Sequence, residues 1–191
     1  MKIERGWIIG LLSIVLIVGY SCQDQSFDAV DSGQDQAVSP GQLEGKSHAS
    51  ANHGQLNFRT HLNGGNEVPA VETDAQGQAI FKVSSDGASI HYKLIVANIE
   101  NVLMAHIHIA PAGQNGGVVV WLYPEDGPPP QLIEGRFQGV LAEGTITADK
   151  LTGDLAGASL DALIEKMRAG NTYVNVHTTQ HPPGEIRGQI H

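Results

Sequence analysis

The sequence predicts an all-β fold, an antiparallel β-sandwich with one short helix, that follows a signal segment and a flexible tether. From Leu56 onward, apolar and polar residues alternate with a period of two, which is typical of strands with one buried face. Gly, Pro, Asn and Asp residues separate these runs at short intervals, as in antiparallel sandwiches. The chain has a single cysteine, so no disulfide within the chain supports the fold.

The N-terminal residues have the composition of a secretory signal. Lys2 and Arg5 precede an apolar run from Trp7 to Tyr20 of about 14 residues, shorter than the roughly 20 of a membrane-spanning helix. Cys22 follows and the chain turns polar at once, a pattern that resembles a bacterial lipoprotein signal. The resemblance implies removal of residues 1–21 and lipidation of Cys22. An ordinary signal peptide with an incidental cysteine is the alternative.

Residues 22–55 are rich in Gln, Asp, Ser and Gly and predict a flexible linker, because they contain too few apolar side chains for a core. The chain would thus be exported to the cell envelope and tethered to a membrane through Cys22, at the outer membrane, in the periplasm or on the cell surface. The net charge of −9 and the lack of a Lys/Arg cluster argue against nucleic-acid binding.

The folded domain is predicted to span residues 56–191. Its helix begins after Ser159, a suitable N-cap, and ends before Gly170. Between them, Leu160, Leu163, Ile164 and Met167 follow the spacing of one apolar helix face. Strands are predicted over 56–62, 79–83, 90–96, 102–110, 117–123, 132–141, 172–178 and 185–190.

Histidines on two predicted strands are the candidate metal ligands. His106 and His108 share one strand face with Met104, and their Cα atoms would lie about 6.6–7 Å apart. His177 shares a face with Asn175 on a later strand, and the following loop carries His181. If the two strands are neighbours, three imidazoles converge and His181 is a possible fourth ligand.

Imidazole sites suit copper or zinc, and copper(II) binds them more tightly. Three ligands would leave an open position, whereas four would close the site. Met104 is a weaker candidate, for an axial thioether. The alternative is that these histidines make hydrogen bonds only.

Glu185 and Arg187 share a face of the last predicted strand. A salt bridge that fixes this strand is the favoured interpretation. The alternative gives the pair, and Asn175, a role in contacting a ligand or orienting a histidine.

Five segments resemble the CHRD domain, first described in the extracellular developmental protein chordin. They are residues 62–69 (LNGGNEVP), 105–108 (AHIH), 151–157 (LTGDLAG), 173–178 (YVNVHT) and 183–189 (PGEIRGQ). The resemblance implies an extracytoplasmic, immunoglobulin-like antiparallel sandwich and no settled activity. A looser similarity, limited to the His-x-His strand, is to the copper/zinc superoxide dismutase sandwich.

Three functions follow, and a binding role is favoured over catalysis. The first is a membrane-tethered CHRD-domain protein with a histidine metal site, copper favoured. The second is a recognition module for an envelope protein or a glycan, without metal. The third is a copper redox enzyme of the dismutase type, which the negative net charge disfavours because it repels small anions unless a positive patch near Arg187 compensates.

Overall fold

The structure, a computed structural model, describes residues 55–191. The predicted signal segment 1–21, Cys22 and nearly all of the predicted linker lie outside these residues. The elements are the strands β1 (Asn57–Asn63), β2 (Gln76–Val83), β3 (Ile90–Ile109), β4 (Gly117–Tyr123), β5 (Ile133–Ile146), β6 (Thr172–Thr178) and β7 (Ile186–Gln189), and the helix α1 (Leu160–Arg168). All strand pairs are antiparallel, which confirms the predicted fold class.

Strand β3 organises the sandwich because its two halves have different neighbours. Its first half pairs with β2 and β5, and its second half pairs with β4 and β6. The order β2-β1-β7-β6-β3-β4 then returns to β3 through the β2–β3 pairing, so the strands form a barrel-like or sandwich-like sheet.

The sequence predicted two strands, over 90–96 and 102–110, where the structure has the single strand β3. Asn98 and Asn101 lie in the junction with φ values of 55° and 52°, in the left-handed region that asparagine tolerates. The pairing with β5 shifts register in the same junction. The interruption in the pattern therefore marks an irregularity inside one strand.

Buried apolar residues from the strands form one core, and α1 contributes to it. The predicted apolar face of the helix, Leu160, Leu163, Ile164 and Met167, is buried. Ser159 occupies the N-cap position, but its side chain makes no capping hydrogen bond. Within residues 55–191, no helix is both long and apolar enough to cross a bilayer.

Candidate metal centre

Strands β3 and β6 bring the candidate histidines together. In their pairing, Met104 lies opposite His177, and His106 lies opposite Asn175. Because alternate residues of a strand share a face, His106, His108 and His177 all project from the same side of this ribbon. The two strands are thus neighbours, which is the condition under which the sequence predicts that three imidazoles converge.

The three imidazoles form one compact, buried group, the histidine cluster. One ring nitrogen from each of His106, His108 and His177 lies within 4.8 Å of the others. His106 Nδ1 and His177 Nε2 are 3.1 Å apart. This contact is a hydrogen bond: the Pro182 carbonyl oxygen accepts from His177 Nδ1, so His177 Nε2 is an acceptor and His106 Nδ1 donates to it. The side chains belong to residues only 2–7% exposed.

Backbone carbonyls fix the protonation of two of the rings. His177 Nδ1 is 2.8 Å from the Pro182 carbonyl oxygen, and His108 Nδ1 is 2.9 Å from that of Gly116. A carbonyl only accepts, so each Nδ1 must carry the proton and each Nε2 keeps a lone pair. The Nε2 atoms of His106 and His108 are buried without a hydrogen-bond partner. The cluster therefore keeps two free lone pairs, on His106 Nε2 and His108 Nε2, and a third on His177 Nε2 that accepts the hydrogen bond from His106. Lone pairs of this kind are what a metal ion binds.

Burial keeps the histidine cluster uncharged at neutral pH. Desolvation, reinforced by the charges of His177 and His108, lowers the pKa of His106 to about 3. Desolvation also lowers the pKa of His177 to about 4 and lowers that of His108. Neutral imidazoles are the form that binds metal ions, so no proton has to leave at pH 7.

Aromatic rings enclose the histidine cluster on two sides. The Trp121 ring, from β4, meets His106 edge-on with the ring centroids 4.2 Å apart. Tyr173 stacks on His108 at 4.8 Å. The guanidinium group of Arg187 lies 3.4 Å from the centroid of the Tyr173 ring. These contacts restrict both histidine rings and shield them from water.

Arg187 is buried, with 2% of its surface exposed. It donates to Asn115 Oδ1 at 3.0 Å and to the Gln114 carbonyl oxygen at 2.5 Å. It therefore does not form the exposed positive patch that anion steering toward a dismutase-type site would need.

The predicted salt bridge between Glu185 and Arg187 is wrong. Glu185 lies in the bend before β7, so the alternation of that strand does not extend to it. Its oxygens accept from Thr73 Oγ1 at 2.7 Å and from Thr178 Oγ1 at 2.6 Å. Among residues 55–191, ion pairs join Lys93 to Glu143 and Lys150 to Glu125.

His181 and Met104 are both less buried than the three clustered histidines. His181 is half-exposed in the turn after β6, where its backbone N–H donates to Thr178 Oγ1, and it is not part of the histidine cluster. Met104 is half-buried opposite His177. His181 therefore adds no donor to the three ring nitrogens.

Sequence reasoning missed Glu67, which follows a short 3-10 turn at Gly64–Asn66. The residue is 7% exposed, and its Oε1 is buried without a hydrogen-bond partner. Burial raises its pKa, an effect that Arg187 and a hydrogen bond with Asn175 partly offset. One signal was available in the sequence. Glu67 belongs to the segment 62–69, which resembles the CHRD family although Glu67 lies in no predicted strand or helix.

No curated protein and no solved structure gives a significant match to the chain. The CHRD domain family model matches residues 58–190, well over half of the sequence. The match spans every strand except the first residue of β1, and it includes Glu67 and the whole histidine cluster. The chain therefore belongs to the CHRD domain family.

Proposed function

We propose that this CHRD-domain protein is exported, anchored to a membrane through Cys22, and binds one transition-metal ion at the histidine cluster. A single observation carries the metal proposal. Three buried imidazoles direct ring nitrogens to one space, and two of those rings have Nε2 atoms without any hydrogen-bond partner. Such atoms are costly in a protein interior unless something binds them.

Copper is the favoured ion and zinc the second candidate. The donor set consists of neutral imidazoles, which suit both metals, and copper(II) stands above zinc in the general affinity order. The backbone carbonyls on His108 and His177 orient these rings, an arrangement typical of histidine ligands in metal sites.

A binding role is favoured over turnover because the cluster is enclosed. The three histidines are only 2–7% exposed, and Trp121 and Tyr173 cover two of them. An enclosed site suits retention of an ion better than repeated exchange of a substrate. Membership in the CHRD family also fits an extracellular binding module.

The test is a metal titration followed by tryptophan fluorescence. The fragment 55–191 contains the core, all the strands and the family match, and Trp121 is its sole tryptophan. Because Trp121 contacts His106, copper(II) bound at the cluster should quench its emission strongly at one equivalent. Zinc(II), measured separately and by competition, gives the relative affinity.

Two variants make the titration specific. His106→Ala with His108→Ala removes two ligands and should abolish stoichiometric quenching. His61→Ala with His91→Ala removes two exposed histidines outside the cluster and should leave the titration unchanged. Quenching that survives in the first variant would place the ion elsewhere and overturn the proposal.

The anchor is tested separately in the full chain. Expressed in a bacterium that processes lipoproteins, the protein should sediment with membranes and incorporate labelled fatty acid. The Cys22→Ser variant should do neither. Equal labelling of both chains would contradict lipidation at Cys22.

Recognition of an envelope protein or a glycan is the alternative function. If the wild-type fragment retains no copper or zinc after dialysis, the metal proposal fails. The histidines then serve packing and hydrogen bonding, and the domain is a recognition module.

A further inference from the structure

We propose that Asn175 supplies a fourth donor to the ion, through its side-chain oxygen Oδ1, and that Glu67 holds it in the required orientation. This inference rests on the proposed metal site. It extends that site from three nitrogens to three nitrogens and one oxygen, and it draws residues 62–69 into the function.

The position of Asn175 is central among the three histidines. It lies directly opposite His106 in the β3–β6 pairing, and it precedes His177 by two residues on the same face of β6. Side chains of directly opposed residues have Cβ atoms about 4.5–5.5 Å apart. His108, two residues beyond His106, is its diagonal neighbour across the ribbon. No other residue of β6 has a cluster histidine on each of these three sides.

The side-chain oxygen of Asn175 lacks a partner. The residue is 3% exposed, and Oδ1 is buried without a hydrogen-bond donor. Asn175 lies close enough to His108 to favour the charged form of that ring, but the neutral ring has its proton on Nδ1, toward Gly116, and its Nε2 has no proton to donate to Oδ1. It thus joins the Nε2 atoms of His106 and His108 as a buried acceptor that nothing satisfies. A metal ion is a common remedy for a group of unsatisfied acceptors, because it binds several lone pairs at once.

Glu67 determines which end of the amide faces the histidines. Its Oε1 and Asn175 Nδ2 border the same point beside Gly184, so the Nδ2 end of the amide is the end on the side of Glu67. The amide Nδ2 is a donor and a carboxyl oxygen is an acceptor, so the two groups are complementary. Gly184 makes room for this contact: a Cβ at that position would lie 2.9 Å from Asn175 Nδ2 and would overlap Glu67 Oε1. With Nδ2 turned to Glu67, Oδ1 is left for the cluster.

The side-chain oxygen of an asparagine has known properties as a metal ligand. A neutral amide oxygen is a weak donor that adds no charge, so an ion held by three imidazoles and Asn175 keeps its full positive charge. Copper sites elsewhere accept a weak axial amide oxygen of this kind. The histidines would carry most of the affinity, and Asn175 would fill the position that a solvent molecule otherwise takes.

The test uses the full chain in detergent with one equivalent of copper(II). Asn175→Ala should retain one copper but lose about 10- to 100-fold in affinity against a competing chelator, with a changed electron paramagnetic resonance spectrum. Asn175→Asp keeps an oxygen at the same place and should bind at least as tightly as the wild type. Thr172→Val is the matched control: Thr172 also has a buried, unpartnered hydroxyl on β6, but on the opposite face.

A measurement on the wild type decides the matter even if a variant fails to fold. The electron paramagnetic resonance spectrum of the copper-loaded chain is recorded in water enriched with oxygen-17. A water molecule bound to copper broadens the lines of that spectrum, whereas an amide oxygen of Asn175 leaves them unchanged. We expect sharp lines for the wild type and broadened lines for Asn175→Ala.

Broadened wild-type lines, or an Asn175→Ala variant with unchanged affinity and spectrum, would overturn the role of Asn175 while the histidine site stands. A wild-type chain whose copper uptake equals that of the His106→Ala, His108→Ala variant would instead overturn the metal proposal, and this inference with it.

Discussion

The metal-free domain should lose stability as the pH falls below about 6.5, because its buried histidines resist protonation. The pKa of His106 is about 3 and that of His177 about 4, against an ordinary value of 6.5. Unfolding exposes both rings, which then bind protons below pH 6.5 although the native state does not. The unfolded state holds more protons throughout this window, so stability falls with pH until the native values are reached.

The size of the effect follows from the same values. An imidazole that stays neutral in the fold and titrates at 6.5 when unfolded costs about 2 kcal/mol of unfolding free energy between pH 8 and pH 5. His106 and His177 together give about 4 kcal/mol, and His108 acts in the same direction. Glu67 has the opposite sign, since its raised pKa favours the protonated fold at low pH. A total of 4 kcal/mol is a large part of the about 5–15 kcal/mol of a typical domain.

Urea unfolding of the fragment 55–191, in a chelator and at several pH values from 8 to 5, measures this slope directly. His106→Asn should reduce the change in unfolding free energy between pH 8 and pH 5 by about 2 kcal/mol, because one titrating ring is lost. His61→Gln, at an exposed position, should follow the wild-type curve. An unfolding free energy that is flat from pH 6.5 to pH 5 would refute the reasoning, since it would mean that the native cluster accepts protons freely.

Three further substitutions probe the scaffold, each measured by the change in unfolding free energy from urea titration. Gly184→Ala should cost at least about 1–3 kcal/mol, because φ is 139° and the new Cβ would overlap Glu67. Gly113→Ala is the control: its φ is 77°, but its Cβ would meet no atom within 4 Å, so it should cost less. Equal costs for the two variants would exclude the contact with Glu67. Ser159→Ala should change stability by less than about 0.5 kcal/mol, below the usual loss of a cap, since its side chain caps nothing. Leu163→Ala should cost about 2–5 kcal/mol, and a smaller loss would show that α1 packs loosely.

Much of the fold could be predicted from local periodicity, because the face on which a side chain lies depends only on its spacing from nearby residues in the sequence. The spacing of Leu160, Leu163, Ile164 and Met167 located the buried helix face, and alternation placed His106 and His108 on one strand face. Alternation does not indicate which strands pair with each other in the sheet. Nothing in the alternation indicates that the strand of His177 pairs with that of His106, and this pairing is known only from the register in the structure.

The predictions that the structure corrects failed because they also depended on information beyond local periodicity. Asn98 and Asn101 interrupt the alternation without ending β3, because left-handed asparagines let a strand continue past an irregularity. Glu185 precedes β7 instead of belonging to it, so its side chain turns to two threonines and not to Arg187. Glu67 was missed because a loop residue has no periodicity, and only the tertiary fold carries it to Asn175.

The contact between His106 and His177 joins positions 71 residues apart in the chain. An ion bound by both histidines would act as a cross-link, as a disulfide does, and would close a long loop that includes β4, β5 and α1. Loop-closure entropy for a ring of this size amounts to about 4 kcal/mol taken from the unfolded ensemble. A chain with one cysteine has no disulfide of its own for this purpose. Metal loading would then set how long the domain survives proteolysis.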